Sequence, residues 1–114
     1  MKRLALTLGL AFGVAAAAAA PGPAAVDDVR LRGADADAAN WISHGRSYSE
    51  QRFSPLKQID AANVARLGLA WSQTLEFERG VEATPLVVDG VMYVTGPWSI
   101  VYAFDAASGK ALWK

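Results

Sequence analysis

Glu82 is the side chain of this 114-residue sequence whose type and setting most invite chemistry. It stands in Gly80-Val81-Glu82-Ala83-Thr84-Pro85, just ahead of an apolar run, where a carboxylate needs a hydrogen-bond partner if it is buried. On residue type alone, a strand-end carboxylate facing water is the commoner case. Thr84 lies two residues on, so an extended backbone would put its hydroxyl on the same face as Glu82. His44 is the single histidine, which excludes a local His–His metal pair and favours a hydrogen-bonded structural role. Arg46 and Arg52 could clamp a carboxylate, but within a packed loop they are expected to bond backbone carbonyls or to pair with Glu50. Trp71, Trp98 and Trp113 read as packing anchors, and Asp89 and Asp105 as turn residues.

The elements that must position these residues are β-like. Pro85-Leu86-Val87-Val88 and Val91-Met92-Tyr93-Val94 flank Asp89-Gly90, the signature of a two-residue type I′ hairpin. Gly96-Pro97 turns the chain, a third strand is expected over 99–104, and a fourth begins at 110–113 after the Asp105 to Gly109 turn. Upstream, Leu69 to Leu75 is expected as a strand carrying Trp71. A short helix is expected over Ile59 to Leu67, with Asp60 as N-cap, Ile59 and Val64 as a hydrophobic staple and Leu67-Gly68 as its stop. Trp41 to Pro55 has no sustained period but carries Trp41, Tyr48 and Phe53, so it is expected to be a packed loop whose aromatics dock. Val26 to Asn40 reads as an extended lead-in with at most a helical turn near Ala34 to Ala39.

Composition bounds the function. Lys2 and Arg3 followed by the apolar stretch Leu4 to Ala20 have the form of a secretory signal, with an uncleaved anchor as the alternative. Without that segment, the 11 basic and 11 acidic residues become 9 and 11, a weakly acidic chain with no basic stripe for a nucleic acid. The absence of cysteine leaves neither a disulfide framework nor a thiolate metal site. The expected division is a signal peptide at 1–25, a packed loop and short helix at 26–68, and a sheet unit at 69–114. A four-stranded meander of this size is the unit of a propeller blade, and a blade needs neighbours to cover its faces; the alternative is a free-standing small β-domain.

Several runs resemble the pyrroloquinoline-quinone (PQQ)-dependent alcohol dehydrogenases. Asn40-Trp41-Ile42-Ser43-His44-Gly45-Arg46-Ser47-Tyr48-Ser49-Glu50-Gln51-Arg52-Phe53-Ser54-Pro55-Leu56 is similar to the N-terminal signature of that family. Asn63 to Trp71, Gly80 to Pro85 and the closing Ala103, Asp105, Ser108-Gly109-Lys110 and Trp113 follow in family order and at family spacing. The details look more like the quinoprotein and quinohaemoprotein ethanol-type enzymes than the membrane-bound glucose enzyme.

The resemblance implies an all-β fold, an eight-bladed propeller whose first blade is this antiparallel meander, with the tryptophan motifs docking blade onto blade. It implies oxidation of a primary alcohol to an aldehyde in the periplasm, with PQQ and a calcium or lanthanide ion near the propeller axis, and electrons passing to a cytochrome c. A haem c domain could follow. Membrane integration is not expected once the signal is cleaved. It assigns Glu82 to the cofactor pocket, and assigns no catalytic or metal-ligating residue to this chain, which is expected to be an N-terminal fragment, inactive alone. An ionised Glu82 beside a polycarboxylate cofactor would repel it unless the glutamate accepts a ring N–H, shares a proton, or is bridged by a nearby arginine. Two other functions stand beside the enzyme: a non-catalytic propeller scaffold, and a small β-module that binds a partner through its open sheet edge.

Overall fold

The computed structural model describes residues 25–114; the signal peptide expected at 1–25 lies, but for its last residue, outside them. Four antiparallel strands, β1 (Leu86–Val88), β2 (Val91–Thr95), β3 (Val101–Asp105) and β4 (Ala111–Trp113), form one sheet in the order β1-β2-β3-β4. This is the meander the turn spacing predicts. Asp89 and Gly90 have φ of 51° and 79°, the doubly left-handed geometry of a type I′ turn, which matches the twist of the strands it joins. At the second turn, Asp105 Oδ1 accepts from the Ser108 N–H at 2.8 Å and from its hydroxyl at 2.6 Å, while Gly109 takes φ of 72°.

The two faces of the sheet are covered by different parts of the chain. Along one face, Leu86, Tyr93, Ala103 and Trp113 stand opposite one another on successive strands. Ala103 is fully buried, and the Tyr93 and Trp113 rings meet beside it with centroids 5.9 Å apart. Ala34, Ile42 and Val88 form a small core on the same face, with Leu31 and Tyr93 against it. On the other face Tyr102 and Phe104 are stacked at 6.0 Å and lie under Phe77 and Trp71, at 6.1 and 6.5 Å. β3 is therefore buried on both sides, which is why Tyr102, Ala103 and Phe104 are all buried in sequence without alternation.

The chain before the sheet departs from four expectations. The α-helix of the described residues, α1 (Asp28–Arg32), lies in the expected lead-in: Asp27 caps it by accepting from the Arg30 N–H at 2.8 Å, and Arg32 pairs with Asp28 one turn back at 2.8 Å. A 3₁₀ turn at Ala34–Ala36 follows, where a helical turn was expected. The helix expected over Ile59 to Leu67 reduces to a turn and the 3₁₀ piece Val64–Arg66. Asp60 does cap, accepting from the Ala62 and Asn63 N–H groups, and Asn63 Oδ1 accepts in return from the Asp60 N–H. However, Ile59 and Val64 are both about half exposed or more, so no buried face propagates the helix.

Leu69 to Leu75 contains no strand. It crosses the sheet face instead of extending its edge, held through Trp71, whose indole N–H donates to the Ala106 carbonyl at 3.1 Å. The apolar residues that suggested pairing are anchors onto a face. In the Trp41 to Pro55 loop, Trp41 exchanges two backbone hydrogen bonds with Val87, at 2.8 and 3.0 Å, and so occupies the outer edge of β1. Tyr48 and Phe53 do not dock: they are 64 % and 69 % exposed, because the buried contacts of that loop are made by Ile42, Arg46 and Ser47.

Candidate functional site

The connectivity of the meander sorts the candidate residues to opposite ends of the sheet. Asp89-Gly90 and the Asp105 to Lys110 turn share one end, where the Ala106 N–H donates to the Gly90 carbonyl at 2.8 Å. Residues 80–85, leading into β1, and the β2–β3 connection at 96–100 share the other. Glu82 is four residues ahead of β1, so it and Thr84 are not strand residues with a common face, as the sequence suggested; Glu82 is exposed. Among the described residues its carboxylate has neither a hydrogen bond nor an ion pair.

Thr84 is fixed from the side. Its hydroxyl lies 3.1 Å from His44 Nδ1, and the Arg52 guanidinium approaches His44 Nε2 on the opposite edge of the ring. Arginine only donates, so His44 Nε2 accepts and Nδ1–H donates to Thr84. The single histidine thus has the hydrogen-bonded role its isolation suggested, linking the Trp41 to Pro55 loop to the segment that carries Glu82. Arg52 φ is 50°, a left-handed backbone that turns its side chain back towards His44.

Arg46 is buried and points away from this end. Its Nη2 donates to the carbonyls of Ala34 and Asp35 at 3.3 and 3.0 Å, and its Nη1 lies 3.7 Å from the Asp35 carboxylate, which also accepts from the Ser47 hydroxyl at 2.5 Å. It ties α1's downstream turn to the loop, the carbonyl-bonding role expected of it. Neither arginine pairs with Glu50.

The β2–β3 connection is the strained part of this end. The Gly96 N–H donates to the Ile100 carbonyl at 2.8 Å, and between them Trp98 and Ser99 have φ of 63° and 61°. For side chains of this kind a left-handed backbone costs about 1–3 kcal/mol per residue. Gly96 is required by its surroundings: a Cβ there would sit 2.6 Å from the Phe77 ring. Phe77 therefore presses the incoming segment onto the loop, and two residues later the Arg79 guanidinium lies over the Trp98 indole, 5.2 Å from its centroid. Trp98 is 78 % exposed, so it anchors no packing among the described residues. At the margin of this end, Lys114 Nζ meets Glu76 at 2.7 Å, which lowers the Glu76 carboxyl and raises the Lys114 ammonium through their shared hydrogen bond.

The opposite end holds the turn carboxylates. Asp89 receives a bidentate pair from Arg30, at 2.9 and 2.5 Å, and its N–H donates to Asn40 Oδ1 at 2.7 Å. The hydrogen bond from Arg30 holds the Asp89 carboxyl below its usual range, and the Ser108 hydroxyl does the same for Asp105. Trp71 lies over Gly109 so closely that a Cβ would fall 2.5 Å from its ring. Trp113 is half exposed beside Tyr93. No group of three or more His, Asp or Glu among the described residues is gathered tightly enough to hold a metal ion.

Sequence reasoning missed Arg79 and the strain at Trp98. Gly96-Pro97 marks a turn, but nothing in the residue types reports a left-handed tryptophan, a conformation usually left to glycine or asparagine. It also missed the Arg30–Asp89 clasp, which spans 59 positions.

Residues 41–114 match the profile of the β-propeller domain described as glucose/ethanol/alcohol dehydrogenase, of the PQQ class. Over its whole length the chain is 55 % identical to the quinohemoprotein alcohol dehydrogenase ADH-IIG of Pseudomonas putida, covering 16 % of that protein. It is 48 % identical to the quinohemoprotein alcohol dehydrogenase of Comamonas testosteroni, over 97 % of this chain and 17 % of the relative. A 1-butanol dehydrogenase (cytochrome c) of Thauera butanivorans is 60 % identical over 64 % of this chain and 11 % of its own. The solved Pseudomonas structure superposes with a TM-score of 0.76 at 61 % identity, covering 82 % of this chain and 14 % of that one; the Comamonas structure gives 0.68 at 52 %, covering 78 % and 13 %. The chain thus spans between 11 % and 17 % of the length of these relatives.

Proposed function

Because the chain belongs to the PQQ-type glucose/ethanol/alcohol dehydrogenase β-propeller family, we propose that it provides the lead-in and first blade of an exported, eight-bladed alcohol dehydrogenase. In this reading residues 26–68 wrap the blade formed by 69–114, the signal at 1–25 directs the protein to the periplasm, and a primary alcohol is oxidised to an aldehyde. Electrons pass to a cytochrome c or to a haem-bearing domain of the same protein; the names of the quinohemoprotein and cytochrome c-linked relatives support that partner.

The observation that carries the reading is the identity over the whole chain together with superposition of its sheet on the same relative. The donor set at the open end fits a planar, carboxylate-bearing quinone. Glu82 offers an exposed carboxylate free of other partners among the described residues, able to accept a ring N–H. Thr84, held through His44 and Arg52, fixes the segment that carries it. When bound, the quinone supplies the two-electron acceptor for the alcohol. Glu82 binds and orients it; the catalytic base, and the calcium or lanthanide ion with its ligands, are assigned to other blades.

Two measurements test this. The reading frame of the intact gene is expected to encode further blades of the same pattern, and the purified protein reconstituted with PQQ and calcium or a lanthanide is expected to reduce cytochrome c when given a primary alcohol. A gene without further blades, or a loaded propeller that oxidises no alcohol, sinks the proposal and favours the scaffold reading.

A further inference from the structure

We propose that Arg79, whose guanidinium lies over the Trp98 indole, is a carboxylate-binding residue for the planar anionic quinone at the Glu82 end of the sheet. The proposal rests on the function argued above and adds to it the source of positive charge that a glutamate beside a polycarboxylate requires.

Three cations have contacts that place them at this end. Arg52 is engaged with His44, and Lys114 with Glu76. Arg79 is three residues from Glu82; among the described residues its guanidinium donates no hydrogen bond, and it lies over Trp98, 5.2 Å from the ring centroid. Its N–H groups thus have no acceptor among the described residues, and a guanidinium in that state can grip a carboxylate with two parallel hydrogen bonds. Stacking also removes much of the rotational freedom that a long exposed side chain would otherwise lose on binding.

The loop under the cation has a strained backbone. Trp98 is 78 % exposed among the described residues and its backbone is left-handed, while the Phe77 ring lies against Gly96 in the same loop. That indole, on an unfavourable backbone and with a cation over it, is the platform of the proposal. The ligand it suits is flat and anionic. An acidic side chain of a partner protein shares the carboxylate chemistry, but Glu82, unpaired three residues away, favours a ligand that also presents a hydrogen-bond donor, as a ring N–H does.

The test is a fluorescence titration of the complete apo-propeller carrying this blade with PQQ, and with PQQ whose carboxyl groups are esterified. Arg79→Gln is expected to raise the dissociation constant for PQQ about ten- to a hundredfold and to flatten its dependence on salt, with Arg79→Lys in between. For the ester, Arg79→Gln and the parent protein are expected to bind alike. Equal affinities for PQQ in the two proteins, or equal losses on esterification, overturn the proposal. Arg79→Gln that binds PQQ normally but slows reduction of the cytochrome also overturns it, and assigns the platform to the partner. If Glu82→Gln weakens PQQ while Arg79→Gln does not, this inference fails and the function stands; if the parent protein binds no PQQ, both fall.

Discussion

The two ends of the sheet are built on opposite principles. Where Asp89-Gly90 and Asp105 to Lys110 turn the chain, the left-handed positions belong to Gly90, Gly109 and Asp89, residue types that tolerate them, and Asp89 is gripped by Arg30 and Asn40, Asp105 by Ser108. Where residues 80–85 and 96–100 meet, the left-handed positions belong to tryptophan and serine, and Arg79 and Glu82 have no polar partner among the described residues. The same meander thus has one end whose local preferences agree with the fold and one, the end of the proposed quinone site, where they do not. Consistency of local preference with structure is spent at the first end and withheld at the second, which is the pattern expected when a site is carried on a stable scaffold.

The contrast can be broken most severely at Gly109. Gly109→Val forces a β-branched residue into φ of 72° and drives its Cβ into the Trp71 ring, so it should cost about 3 kcal/mol or more, read as a lowered urea midpoint. A glycine at the other end should do the reverse. Trp98→Gly relieves a left-handed indole that buries little, and a gain of about 1 kcal/mol in unfolding free energy is expected, accompanied by weaker PQQ binding. A variant that loses stability instead would show that the platform is structural.

A smaller effect separates the ends by pH. Asp89 has its carboxyl lowered by Arg30, so the folded state binds fewer protons than the unfolded one; the clasp's contribution is complete above about pH 4 and is lost as pH falls below it. Arg30→Ala should flatten that part of the acid-unfolding curve, and an unchanged curve would remove the clasp from the account. Smallest of all in stability is Glu82→Gln, expected within about 0.5 kcal/mol of the parent by urea unfolding, with its effect confined to cofactor binding.

The folding end was legible in the sequence and the open end only partly. Asp89-Gly90 announces its hairpin because few residues tolerate two positive φ values, and Asp105 to Gly109 announces its turn for similar reasons. Both signals are local. Leu69 to Leu75 misled because anchoring onto a sheet face and pairing along its edge use the same apolar residues, and only the tertiary partners, here Ala106 and Gly109 beneath Trp71, distinguish them. The Asp60 cap was visible, but not that nothing would cover the helix it was expected to start. At the site, Glu82 stood out by motif, whereas Arg79 did not, since its meaning depends on an indole nineteen positions later being held in an unusual conformation.

Ala103 carries a consequence of another kind. It has no exposed surface, and the rings of its two cross-strand partners, Tyr93 and Trp113, close beside it. A methyl group there leaves the room in which the two rings meet over the face of the sheet. Enlarging it by even two carbons would need one of the two rings to shrink in the same lineage, so the three positions are expected to drift together or not at all. In a comparison of many descendants of this blade, that linked triplet would identify the face of the sheet on which the rings meet without reference to any coordinates.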